Sequence, residues 1–212
     1  MSEEISTDYT YSTAEANHTN AYLWAPVVRE LSDIVPTDAS GRRRVFDLGC
    51  GNGALARHIR DLGFDVTGVD PSETGIEIAR RENPAIQLEV GSAYEDLATR
   101  FGQFPAVVSL EVVEHVYFPR KYARCVHDLL EPGGTLIIST PYHSYLKNLA
   151  LALSGKFDAH FTALWDNGHI KFWSVKTLSS LFAEQGLTVE RVIRAGRIPI
   201  LAKSMILLVR KG

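Results

Sequence analysis

From about residue 20 onward, the apolar residues of this chain recur with two periods in alternation. Between about Asn20 and Val35 the residues Tyr22, Leu23, Val27, Val28, Leu31, Ile34 and Val35 form one helical stripe, ended by Pro36 and the polar run 37–41. Strand-like and helix-like runs then follow one another. Strands are expected at 44–48, 64–69, 86–90, 105–110 and 135–139. Between them fall helices at 52–62 (stopped by Gly63), from the cap Ser72 to about Asn83, a short one ending near Phe101, and one at 119–130. The run 105–110 is almost wholly apolar, as a strand buried on both faces should be. This repetition predicts a parallel sheet joined by right-handed crossovers, an α/β architecture. After Pro141 the rhythm breaks, and residues 142–172 hold no clear strand. A helix returns at 174–185 with Ser174 as its cap, and strands at 187–193 and 205–209 close the chain.

Residues 1–18 are rich in Ser, Thr, Glu and Ala without apolar periodicity, and read as a flexible arm. Residues 19–212 read as one domain, since no linker or composition shift divides them. The chain has 212 residues, 45% of them hydrophobic and 22% charged, the proportions of a folded globular domain. Its formal net charge of -3 argues against a nucleic-acid partner, because grip on phosphate backbones comes from a basic face. The cluster Arg42-Arg43-Arg44 reads as a solvated strand entrance. Cys50 and Cys125 belong to no CxxC pair and suit a reducing compartment. The start, Met1-Ser2-Glu3-Glu4, has no signal-peptide pattern, and no apolar run approaches the roughly 18 residues of a membrane span. A cytoplasmic protein is expected.

The chemistry concentrates at strand ends. Val45-Phe46-Asp47-Leu48-Gly49-Cys50-Gly51-Asn52-Gly53 runs from a strand through three alternate glycines into a helix, a turn that lets a ligand lie against backbone at a helix N-terminus. Ala56 stands where a dinucleotide fingerprint would place its last glycine, so that pattern is only partly met. Asp70 ends the next strand, seventeen residues beyond Gly53, placed to accept both ribose hydroxyls of an adenosine. Further on, Glu111-Val112-Val113-Glu114-His115 sets two carboxylates and an imidazole at the end of the fourth strand. Such a group can ligate a divalent metal or include a general base.

Asp47-Leu48-Gly49-Cys50-Gly51-Asn52-Gly53, with an acid two residues before the first glycine, resembles motif I of class I S-adenosylmethionine (SAM)-dependent methyltransferases. Leu130-Glu131-Pro132-Gly133-Gly134-Thr135-Leu136 is similar to that family's turn before its fifth strand. The resemblance implies a Rossmann-like, seven-stranded, mostly parallel sheet with helices on both faces and an antiparallel last strand, here 205–209. It implies SAM as cofactor and S-adenosylhomocysteine as product. Asp47 and the backbone of Gly49, Cys50 and Gly51 would face the methionine portion, Asp70 the ribose, and Pro71, Ser72, Ser92 and Ala93 the adenine. Ser92 stands where many relatives carry Asp, which puts an adenine-amine contact there in doubt. Glu111 would touch the cofactor through its backbone.

The Glu-x-x-Glu-His segment, with the insertion at 142–172 and the His169 region, resembles ubiquinone-biosynthesis O-methyltransferases. That narrower resemblance implies a small hydroxylated acceptor, aromatic or lipid-like. A phenol ionises near pH 10, so His115 is the candidate base, and Glu111, Glu114 and His115 are candidate ligands of a divalent metal. The ring-rich insertion is the expected substrate cover, with His143, His169 and Trp173 against the acceptor. Its run Leu149–Leu153 between Lys147 and Lys156 fits a lid helix, or one lying at a membrane surface. Transfer to nitrogen or carbon, a nucleotide-dependent oxidoreductase, and a non-catalytic SAM-binding protein are the alternatives; oligomeric state is not readable.

Overall fold

A computed structural model describes residues 11, 13, 21–35, 37–161, 163–165, 168–196, 198 and 201–212. Apart from Tyr11 and Thr13, the expected arm lies outside the described residues. A 3-10 turn, Ala21–Leu23, leads into α1 (Trp24–Ile34). Then come β1 (Arg44–Leu48), α2 (Ala54–Asp61), β2 (Asp65–Asp70), α3 (Glu73–Glu82), β3 (Gln87–Val90), α4 (Leu97–Phe101), β4 (Phe104–Leu110), α5 (Pro119–Leu129) and β5 (Leu130–Pro141). The chain closes with α6 (Tyr145–Leu153), α7 (Phe157–Phe161), α8 (Val175–Ala183), β6 (Leu187–Ala195) and β7 (Ser204–Lys211).

The strands form one sheet in the order β3-β2-β1-β4-β5-β7-β6. The pairs β1–β2, β1–β4, β2–β3 and β4–β5 are parallel, while β7 runs antiparallel to both of its neighbours, as expected. Alternate residues of the central strands feed two cores. On one face Val45, Val66, Ala106, Val108 and Ile206 meet Val27 and Leu31 of α1, Ile59 of α2 and Ile76 of α3. On the other, Phe46, Val107, Leu136, Ile138 and Leu207 meet Leu97 of α4, Tyr122 and Val126 of α5, and Phe182 of α8. Burial on both faces is why the strand signals read as continuous apolar runs.

The sequence-derived boundaries hold closely, with the caps in their expected places. Ser72 Oγ accepts from Gly75 N at 3.1 Å, and Ser174 forms a reciprocal capping box with Thr177. Two elements differ. β5 begins at Leu130, ahead of the expected 135, because Leu130 pairs with Phe104 before an irregularity in the ladder resets the register at Ala106–Thr135. The insertion contains two short helices, α6 and α7; Ser144 caps α6 by accepting from Lys147 N at 3.1 Å.

Candidate active site

The carboxyl ends of β1 and β2 are held together by backbone. Gly49 N and Cys50 N both donate to Val69 O, at 2.8 and 3.0 Å. Gly51 N donates to one oxygen of Asp70 at 2.8 Å, and Ser72 N donates to the other at 2.9 Å. Asp70 thus clasps both turns, and each of its oxygens retains a second lone pair for a ligand hydroxyl. Gly49, Gly51 and Gly53 all take left-handed φ (87°, 53° and 76°), which only glycine adopts without strain. The amides of Gly49 and Cys50 are spent on Val69 O, and that of Gly51 on Asp70. The Cys50 thiol is buried on the α1–α3 face.

Asp47 lies beside this clasp, buried, and its Oδ2 has no hydrogen-bond partner. Burial, and then the neighbouring charge of Asp70, push its carboxyl up to about 7. An orphaned buried carboxylate is where a ligand cation would be welcomed. Pro71 is exposed at the rim, Ser72 is buried as a helix cap, and Ser92 and Ala93 are half-buried after β3. Ser92 N donates to Glu95 at 2.9 Å. Tyr11, which sequence reasoning overlooked, lies on the glycine loop: a Cβ added to Gly51 would come within 2.5 Å of its hydroxyl, and one on Gly75 within 2.8 Å of its ring. Asn52 Nδ2 donates to Thr13 O at 2.7 Å, so this stretch of chain straps the loop.

At the exit of β4 the carboxylates part. Glu111 adopts φ 55°, uncommon for a residue with a side chain. Ser139 Oγ donates to its Oε1 at 2.8 Å and accepts its N–H at 3.1 Å. Burial raises its pKa, and the Ser139 and Ser204 hydroxyls partly offset the rise. Glu114 is fully buried with both carboxylate oxygens unpartnered, and burial followed by the charge of Glu111 pushes its pKa well up. One ligand atom each from Glu114, His115 and His169 lie within 4.8 Å of one another, a group fit to hold a cation. In that tight group His169 stands in place of Glu111. His169 Nε2 is 4.0 Å from Glu114 Oε1; burial, then the nearby His115, lower its pKa to about 4 and so keep the ring neutral.

The cover is stitched down at this same place. His115 Nδ1 is 3.2 Å from Gly168 O, Ile170 N and Lys171 N donate to Glu114 O, and Trp173 Nε1 donates to Val113 O at 3.0 Å. Trp173, expected against the acceptor, packs against the core and anchors the cover. His143 sits in a ring cluster with His160, Phe161 and Phe172, its pKa lowered to about 4 by burial and then by Lys147.

Between cover and sheet edge lies a cavity of about 440 Å³ lined by Glu111, Tyr22, Lys147, His160, Lys203 and Ser204, among others. Tyr22 Oη and Ser204 Oγ are 2.6 Å apart. Of the cavity wall, only Glu111 was singled out by sequence. Ser204 and Lys203 were discoverable: an antiparallel last strand must start at the edge where its parallel neighbours end, and Ser204 does pair with Pro141.

A methyltransferase-domain family profile matches residues 16–192. The chain is 39% identical over 137 residues to the ubiquinone biosynthesis O-methyltransferase of Caulobacter sp. (strain K31), covering 60% of this chain and 53% of that protein. It is 31% identical over 191 residues to the human mitochondrial ubiquinone biosynthesis O-methyltransferase, covering 83% and 51%. The chain spans about half the length of the curated relatives it matches. Among solved structures, the methyltransferase domain of bacterial CtHen1-CN superposes with a TM-score of 0.66 at 24% identity, covering 90% of this chain and 98% of that one. The magnesium protoporphyrin IX methyltransferase of Synechocystis PCC 6803, with bound S-adenosylhomocysteine, superposes with 0.64 at 18%, covering 90% and 82%. These structural likenesses show the same fold.

Proposed function

Since the chain belongs to the methyltransferase-domain family, we propose that it moves the methyl group of SAM onto a hydroxyl of a small acceptor held under α6 and α7. The observation that carries this reading is the clasp of Asp70 on both turns beside the orphaned Asp47 oxygen, with an acceptor-sized cavity opening at Glu111. When bound, SAM would supply a methyl already activated on a sulfonium, for transfer to the acceptor oxygen with S-adenosylhomocysteine as the other product. Asp70 accepts the ribose hydroxyls, Asp47 the methionine ammonium, and Gly51 gives the close backbone approach. Pro71, Ser72, Ser92 and Ala93 flank the adenine.

The remaining residues align the acceptor and exclude water, the main sources of rate for a methyl already activated. Glu111 orients the hydroxyl from the cavity wall. His115 takes its proton; alternatively, Glu114, His115 and His169 are the residues that would hold a divalent cation, which would lower the hydroxyl pKa in place of a base. Support for an O-methyl acceptor comes from the relatives named ubiquinone biosynthesis O-methyltransferase.

A second role for the cover is favoured by its outward face, where Tyr145, Leu146, Leu149 and Leu153 are exposed. These residues suit contact with a lipid surface that stores an apolar acceptor. Among the described residues no helix is long and apolar enough to cross a membrane.

Calorimetric titration with SAM, S-adenosylhomocysteine and NADH tests the reading. Micromolar binding of the first two without the third is expected; NADH binding without SAM binding would overturn it. Activity that survives thorough chelation would remove the cation but leave His115 as base.

A further inference from the structure

Tyr11 lies across both turns of the cofactor edge. The place a Cβ on Gly51 would take is 2.5 Å from the Tyr11 hydroxyl oxygen and 3.2 Å from its Cε1, and one on Gly75 would stand 2.8 Å from its Cδ2. Gly75 belongs to the first turn of α3, where glycine is a poorer helix former than alanine. The ring gives that glycine a reason, since a flat face can rest on two backbones only where neither carries a side chain. The main chain is tied to the same two turns. Tyr11 N donates to Thr74 Oγ1 of α3 at 3.4 Å, and Asn52 Nδ2 of the glycine loop donates to Thr13 O at 2.7 Å. Both glycines border the Asp70 clasp: Gly51 N donates to Asp70, and Gly75 N to Ser72 Oγ, whose own N–H donates to the other Asp70 oxygen.

Both of the main-chain ties are solvent-exposed, and neither Tyr11 nor Thr13 belongs to a helix or strand. The contact can therefore open and close without disturbing the sheet. A ligand on the remaining lone pairs of Asp70 lies beside the ring, where an aromatic face excludes water and strengthens the carboxylate's hydrogen bonds. From this placement we infer that Tyr11 closes the cofactor crevice. Its ring seats on Gly51 and Gly75 over an adenosine-bearing ligand, adds contact to it and sets the rate at which it leaves. A residue that holds the donor also holds the spent product, so Tyr11 governs turnover wherever product release is the slow step. The inference rests on the methyl-transfer reading for the identity of the ligand alone.

The test follows the entry and release of S-adenosylhomocysteine on the immobilised full chain by surface plasmon resonance. Tyr11→Ala is expected to release the ligand about tenfold or more faster, while entry changes by less than about threefold. Tyr11→Phe, which keeps the ring, should stay within about threefold of the parent in both rates. Gly75→Ala sets a methyl against the ring, and should speed release in the parent but not in the Tyr11→Ala background. Unchanged release from Tyr11→Ala would overturn the inference even if the ligand-free protein unfolds earlier, since Tyr11 would then only staple the two turns. Equal rises in entry and release would also overturn it, because affinity would be unaltered and Tyr11 a barrier rather than part of the site. An equal effect of Gly75→Ala in both backgrounds would remove the ring as the cause. Should the parent bind NADH and not S-adenosylhomocysteine, the methyl-transfer reading fails, and the same comparison made with NADH decides Tyr11. A parent that binds neither would overturn both.

Discussion

The two walls of the site are made by different means. The cofactor edge is built from main chain: Gly49, Cys50 and Gly51 amides are tied to Val69 and Asp70, and three left-handed glycines leave no slack. The cover is held by side-chain contacts and by a backbone joint at its end. Neither α6 nor α7 contains a buried residue, and the cover is held by rings around His143 and by the Trp173 and Glu114 contacts at its end. An edge of the first kind presents one geometry and suits a ligand that never changes. A cover of the second kind can be rebuilt by substitution without disturbing the sheet, and suits the acceptor, the part that differs between relatives.

The largest effect that would break this contrast lies at Gly49. A Cβ there would overlap Val112 Cγ2, a short β-branched side chain that cannot swing aside, and the residue holds φ 87°. Gly49→Ala should cost about 1–2 kcal/mol for the left-handed backbone and about 1–3 kcal/mol for the overlap. Urea unfolding should show a loss of about 2–4 kcal/mol, with SAM binding undetectable in the folded fraction. A loss below about 1 kcal/mol with full affinity would mean the edge yields as readily as the cover.

The same contrast decides what the sequence discloses. Turn chemistry is local, so the glycine loop, Asp70 and the Ser72 and Ser174 caps could be read in order along the chain. The antiparallel β7 was expected from resemblance, not from periodicity, which is blind to strand direction. The cover and the cavity are tertiary: Tyr22, Lys147, His160 and Lys203 each look like an ordinary surface or interfacial residue until β7 inserts beside β5 and brings them to one edge. His115 and His169 are far apart in sequence, yet their rings lie 4.9 Å apart because the end of the cover returns to hydrogen-bond Glu114 O. The bond of Trp173 to Val113 O was hidden for the same reason.

A smaller effect sharpens the edge half of the comparison. Asp47, at about 7, is protonated in the unliganded fold below neutrality. Its folded pKa is raised, so its share of stability is fully present below about 4 and is lost as pH climbs through about 7. A ligand ammonium favours the carboxylate, so binding works in the opposite direction. SAM affinity should rise by up to about tenfold per unit between pH 5.5 and 7, with proton release visible in buffers of different ionisation enthalpy. Methylthioadenosine, which lacks the ammonium, should show no such slope, and Asp47→Asn should flatten the slope for SAM. A slope of equal size for both ligands would move the effect away from Asp47.

The smallest effect belongs to the cover. Leu149 and Leu153 are 54% and 81% exposed on α6, so replacing both by Ser removes little buried area. Unfolding free energy should change by no more than about 0.5 kcal/mol, the ordinary scale of a surface change. Association with phospholipid vesicles, followed by flotation, should fall several-fold if this face meets lipid. Loss of more than about 1 kcal/mol of stability would show instead that the leucines are packed in solution, in an assembly of copies or against residues of the chain beyond those described. In that event the cover would be as constrained as the glycine edge, and the division of labour between a fixed cofactor wall and a replaceable acceptor wall would fail at its weaker side.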